Sequence, residues 1–173
     1  MQRQAPRGLT LIELLLALTI VAIVATTSLP SMRALIERQQ LRGAVNDLHA
    51  ELLNARREAL RRNTPVSLSF RRDEGGAPWC YALSDDGPCD CFEADACTLS
   101  GAARRITRGD GFGAVALVTN FTPLHTATFQ PARGTANAGT ATLSIGGRRV
   151  EVRLSALGRV RVCSDDVTDY PPC

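Results

Sequence analysis

The chain has 173 residues, enough for one domain of ordinary size plus a membrane helix. Its 20 basic residues, all Arg, stand against 17 acids for a formal net charge of +3, so overall charge makes no case for a nucleic-acid partner and only its distribution can. There is no phosphate-binding Gly loop, no G-x-S-x-G elbow and no convincing metal set, and neither His49 nor His125 has an evident nucleophile partner, so an enzyme is not expected and no cofactor is implied.

The first element is the stretch Arg7-Gly8-Leu9-Thr10-Leu11-Ile12-Glu13, which opens an apolar run reaching Met32. From Leu14 to Met32 there is no charge, and as a helix that segment rises about 28 Å, enough to cross a hydrocarbon core. Glu13 sits one residue inside the apolar edge, where an ionisable group is costly and calls for a partner. An ordinary secretory signal would place a small-residue cleavage site after the run, and Ala25-Thr26-Thr27 could serve. That reading gives Glu13 no role. A lipoprotein signal needs Cys at the cut, and the first Cys is Cys80. A plain anchor leaves the Gly8/Glu13 spacing as coincidence.

A basic leader ending in Gly, followed by an apolar helix with one Glu, resembles the class III signal of type IV pilins and type II secretion pseudopilins. The resemblance implies a cut between Gly8 and Leu9 by a prepilin peptidase, N-methylation of Leu9 and a role for Glu13 in assembly with other pilins. It also implies a single pass of the inner membrane with a periplasmic domain, before entry into a pilus or pseudopilus. Loss of Arg3 and Arg7 with the leader would leave 18 of the 20 Arg against the 17 acids.

Pro30 interrupts the apolar helix near its outer end and is expected to kink it; pilin-like proteins have a proline at this distance from the cut. Beyond it, Leu41, Val45, Leu48, Leu52, Ala55 and Ala59 recur at steps of three and four, the stripe of an amphipathic helix. Arg61 and Arg62 suit the negative end of its dipole, and Asn63-Thr64-Pro65 stops it. A helix from Thr10 to Arg62, roughly 80 Å if straight, makes sense as a spine. The expected segments are a leader over 1–8, a membrane or filament-core helix over 9–32, an amphipathic helix over 33–63 and an antiparallel β domain with disulfides over 64–173. The fold class is thus α+β and pilin-like, a long N-terminal helix packed on a C-terminal antiparallel β domain.

Val66–Phe70 alternates apolar and polar, as in a half-buried strand, and Trp79–Leu83 reads as its hairpin partner. Ala114–Phe121, Ala127–Gln130, Thr140–Ile145, Arg149–Leu154 and Arg159–Cys163 are further strands, with Gly146-Gly147 a hairpin turn. Gly134–Gly139 reads as a flexible excursion. Ser84–Ser100 reads as a solvated, disulfide-pinned loop, acidic through Asp85, Asp86, Asp90, Glu93 and Asp95, and without the full pattern of a calcium site.

Cys80, Cys89, Cys91, Cys97, Cys163 and Cys173 all follow the apolar helix, which suggests an oxidising compartment and up to three disulfides. The spacing of Cys163 and Cys173 favours a closed C-terminal loop, and Cys89 and Cys91 are too close to pair well, so each turns to Cys80 or Cys97. The spacings C-x-C and C-x5-C fit zinc poorly, and no metal is expected.

The junction from Ala55 to Leu68, the segment Phe129-Gln130-Pro131 with Gly134, and Ser155–Arg161 are similar to the GspH/FimT family of minor pilins and pseudopilins. Leu9 departs from it, Phe being commoner after the cut, as does the Cys-rich acidic insertion. FimT-like members are associated with DNA uptake in natural transformation, through a G-R-x-R motif matched here by Gly158-Arg159-Val160-Arg161. Independently, Arg133, Arg148, Arg149, Arg153, Arg159 and Arg161 face a single acid, Glu151, between Gln130 and Cys163. Arg159 and Arg161 on one strand would share a face, and guanidinium forks suit the phosphates of double-stranded DNA without reading sequence. The competing reading is an ordinary solvent face, its Arg paired with Asp165, Asp166 and Asp169, on a structural minor pilin or secretion pseudopilin with no DNA role.

Overall fold

The computed structural model describes residues 10–72, 77–93, 95–103 and 106–173, without the side chains of 24–31 and 103. It divides into two compact units, Met1–Ile36 and Glu37–Cys173. Helix α1 (Leu11–Arg62) begins in the first and ends in the second.

In the first unit, Thr10 caps the helix. The Glu13 amide donates to Thr10 Oγ1 at 3.3 Å, one half of a capping box, and the Glu13 carboxylate lies in the positive first turn. Leu11, Ile12, Leu14 and Leu15 are exposed. Among the described residues no helix is long and apolar enough to cross a membrane. The expected anchor over 9–32 includes Leu9 and side chains that lie outside the described residues, as does the cut at Gly8, while at Pro30 the helix runs on without a break.

In the second unit, Leu41, Ala44, Val45, Leu48, Leu52, Ala55 and Ala59 are all buried, so the stripe is one face of α1 turned into a core. Glu58 accepts from Arg62 Nε at 2.5 Å and Arg61 Nη2 at 2.7 Å; these hydrogen bonds, Arg62 first, hold its carboxyl below the usual range. Asn63 then takes a left-handed φ of 53°, a common helix end, and Pro65 follows.

The strands are β1 (Val66–Arg72), β2 (Trp79–Ser84), β3 (Thr98–Leu99), β4 (Ala102–Ala103), β5 (Thr107–Arg108), β6 (Ala116–Thr119), β7 (Thr126–Phe129), β8 (Gly139–Ile145), β9 (Arg148–Leu154) and β10 (Val160–Cys163). Every pairing is antiparallel. One sheet runs β5-β2-β1-β7, a second β10-β9-β8-β6, and β3 pairs with β4. Leu68, Trp79, Tyr81, Phe129, Leu143 and Val152 join the helix stripe in a shared core. There the Tyr81 hydroxyl donates to Asp47 on α1 at 2.6 Å, and Trp79 Nε1 donates to the Val115 carbonyl at 2.6 Å.

Two expectations are corrected. β1 is not half-buried, because its outward Ser67 and Ser69 are covered as well. The segment between β2 and β3 folds back over that side, held by Cys80–Cys91 and Cys89–Cys97, and makes a second cluster with Ala82 and Ile106. Ser69 Oγ accepts the Cys89 amide at 3.0 Å, which satisfies both groups under cover. Gly134–Gly139 is no loose excursion either. The Gly134 amide donates to Gln130, Ala136 bridges Phe129 and donates to the Ala156 carbonyl, and Asn137 bonds Thr122, Thr126 and Thr128.

Candidate nucleic-acid interface

The site is built on the second sheet. β8 and β9 are joined by Gly146-Gly147 with φ of 56° and 79°, the two positive values that the tightest hairpin turn requires. Alternation along β9 then sends Val150, Val152 and Leu154 into the core and Arg149, Glu151 and Arg153 outward. In register, Arg161 of β10 stands beside Arg153, and Arg153 beside Thr140 of β8. Two like charges directly opposite repel, and an anion between them removes the penalty.

The link from β9 to β10 is a tight turn. The Gly158 amide donates to the Ser155 carbonyl at 2.8 Å, the Arg159 amide to Ser155 Oγ at 3.2 Å, and the Ser155 amide to the Arg159 carbonyl at 3.0 Å. Gly158 has a φ of 71°, and a Cβ there would lie 1.9 Å from the Gly134 carbonyl oxygen, so only glycine fits. Arg159 therefore sits one residue ahead of β10 rather than on it as expected. It still joins Arg153, Arg161, Leu154, Leu157 and Thr140 around an open groove of about 480 Å³.

The predicted arginines separate into two groups. Arg148 Nη1 lies 3.3 Å from Glu37 on α1, and Arg149 Nε donates to Asp166 at 3.1 Å. Arg153 Nε donates to Glu151 at 2.8 Å, and its Nη1 to the Cys173 main-chain oxygen at 3.1 Å. Arg159 and Arg161 are exposed and have no side-chain partner among the described residues. Arg133 is exposed on the turn before Gly134, outside the groove.

The remaining pair of cysteines forms the bridge Cys163–Cys173, closing the C-terminal loop. Donor atoms of Glu151, Cys163 and Cys173 lie within 4.8 Å of one another, but the two sulfurs are bonded to each other and offer no thiolate to a metal. His125 Nδ1 lies 3.3 Å from Thr119 Oγ1. The residue overlooked in the sequence is Thr10, although its T-x-x-E spacing to Glu13 was there to be read as a cap.

Residues 44–158, more than half the chain, match the family model described as type II transport protein GspH, and residues 3–29 match the prokaryotic N-terminal methylation motif. The chain is similar to a crystal structure of the type IV minor pilin FimU of Pseudomonas aeruginosa PAO1, at 23% identity over 73% of this chain and 90% of that one, with a TM-score of 0.51. A second crystal form of that minor pilin matches at 19% identity over 70% and 91%, with a TM-score of 0.48. No curated protein matches. The likeness to the first crystal form is one of fold.

Proposed function

The chain belongs to the GspH family of pilin-like proteins, and from that premise we propose that it is a minor pilin whose exposed domain binds DNA without sequence preference through Arg159 and Arg161. Its methylation motif marks a membrane-anchored precursor that a prepilin peptidase processes and that assembles with other pilins. In the finer reading the peptidase cuts after Gly8, Leu9 is methylated, residues 9–32 cross the inner membrane once, and the domain waits in the periplasm. Glu13 then neutralises a methylated amine at Leu9, its own or a neighbour's, since an unpaired charge in low dielectric is costly. Glu13→Ala should block filament incorporation while cleavage proceeds; normal incorporation removes this role.

One observation carries the DNA reading: in a row of outward arginines, the two of the Gly-Arg-Val-Arg motif are left without a counter-charge beside a groove. Guanidinium forks there can each take a phosphate oxygen and release a condensed counterion. The contact reads no base, which suits uptake of arbitrary DNA in natural transformation.

The full chain in neutral detergent should bind random duplex DNA at about 10⁻⁴–10⁻⁶ M at physiological salt, and more tightly at low salt. Arg159→Ala with Arg161→Ala should abolish most of that binding and flatten the salt slope by about 1.8, two phosphate contacts' worth. Equal binding by the double variant in an electrophoretic shift assay makes the motif structural. The second reading, a priming minor pilin or type II secretion pseudopilin without a ligand, is favoured by the pairing of Arg148, Arg149 and Arg153 with acids.

A further inference from the structure

Resting on the reading of Arg159 and Arg161 as a phosphate site, we propose that the loop closed by Cys163 and Cys173 is a built-in anionic strap that competes with DNA for the neighbouring arginines. The loop reaches two of them and a third arginine on α1. Asp166 accepts from Arg149 Nε at 3.1 Å, the Cys173 main-chain oxygen accepts from Arg153 at 3.1 Å, and Asp169 lies 3.5 Å from Arg42 on α1. Arg153 stands in register with Arg161, and Arg149 lies four residues before Arg153 on the same outward face. The strap thus touches two arginines of β9, the strand that adjoins Arg161.

It is a docked element with its own construction. Ser164 Oγ donates to the Arg149 carbonyl and accepts the amides of Asp166 and Val167 at 3.1 and 2.9 Å. The Ser164 amide donates to the Pro171 carbonyl at 2.9 Å, Asp165 accepts the Cys173 amide at 3.0 Å, and Val167 and Tyr170 pack on the core. These contacts fix Asp166 over Arg149.

The clamp is nevertheless yielding. Arg149 is 68% exposed in the pair, and an ion pair open to water is weak and screened by salt. Arg149 lies about 13 Å along the strand from Arg153, so a duplex held at Arg161 can bring another of its phosphates to Arg149 and displace the carboxylate there. The native chain binds through few contacts and lets go readily, and freeing the strap widens the footprint to Arg149, while Arg153 stays paired with Glu151.

The test titrates labelled random duplex DNA onto the full chain in neutral detergent at two salt concentrations. Asp166→Asn, at a surface position, should tighten binding several-fold and steepen the salt slope by about 0.9, one added phosphate contact. Glu93→Gln, which removes the same charge from the other cystine loop, should change neither. Adding Arg149→Ala to Asp166→Asn should cancel the gain. Equal gains from Asp166→Asn and Glu93→Gln, or a gain that survives Arg149→Ala, overturn the strap. If the native chain binds and the Asp166 variant binds no tighter, the strap falls and the DNA reading stands. If neither binds, both fall.

Discussion

The first sheet is covered on both sides, by the helix stripe with the shared core on one and by the cystine loop on the other, whereas the second keeps most of its outer side in water. Both alternate along their strands, and what differs is the size of the outward side chains. On β1 and β2 these are Ser67, Ser69, Cys80, Ala82 and Ser84, small enough for a loop to lie flat on them, and Arg71 near the end of β1, which is only half-buried and donates to the Phe70 and Leu124 carbonyls. On β9 they are Arg149, Glu151 and Arg153, which hold any covering segment away and need water or counter-charges. A hydroxyl can be satisfied under cover by one partner, as Ser67 is by Thr128 at 3.0 Å; a guanidinium cannot. Small outward residues thus mark a face that will be covered, and long charged ones mark a face kept for solvent or a ligand.

Charge placed under the cover should break this contrast most strongly. Ala82→Arg puts an unpaired cation among buried cystines and should cost about 4 kcal/mol or more, or prevent folding. Thr142→Arg on the second sheet, beside Glu151, should change stability by less than about 0.5 kcal/mol in the same urea titration. Comparable losses at the two positions would remove the distinction between the sheets.

A gentler perturbation is pH. Burial, and then the hydrogen bond to Asp47, raise the Tyr81 phenol well above its ordinary range. The unfolded chain therefore loses this proton from about pH 10 while the folded chain keeps it, so stability falls as pH rises, by about 1.4 kcal/mol per unit from this group. Tyr81→Phe should remove that part of the alkaline slope, at a cost of about 1 kcal/mol at neutral pH. An unchanged slope in urea titrations above pH 10 would show that Tyr81 titrates normally.

The sequence reveals those parts whose signals are local. The steps of three and four from Leu41 to Ala59 are the buried face of α1, Asn63-Thr64-Pro65 ends it, and Gly146-Gly147 turns β8 into β9. Burial of both sides of β1 is not local, since Val66-Ser67-Leu68-Ser69-Phe70 has the same period whether or not a distant loop covers its serines. The arginines show the same limit. Glu37 stands 111 residues from Arg148, and no spacing rule reaches that far. Asp166 and Asp169 were visible as acids able to pair, but which arginines they take is set by how the closed loop docks. The free pair emerges only by subtraction, once the partnered arginines are known.

Asn137 has a consequence for a subunit that meets many neighbours. β7 is the last strand of the first sheet. Along its outer border the Asn137 side chain accepts the Thr128 amide at 2.6 Å and donates to the Thr126 carbonyl at 2.7 Å, while Ala136 bridges Phe129. One amide side chain therefore takes the hydrogen bonds that a foreign strand would seek. Chains crowded side by side are thereby kept from zipping together through this border, which leaves their association to other surfaces.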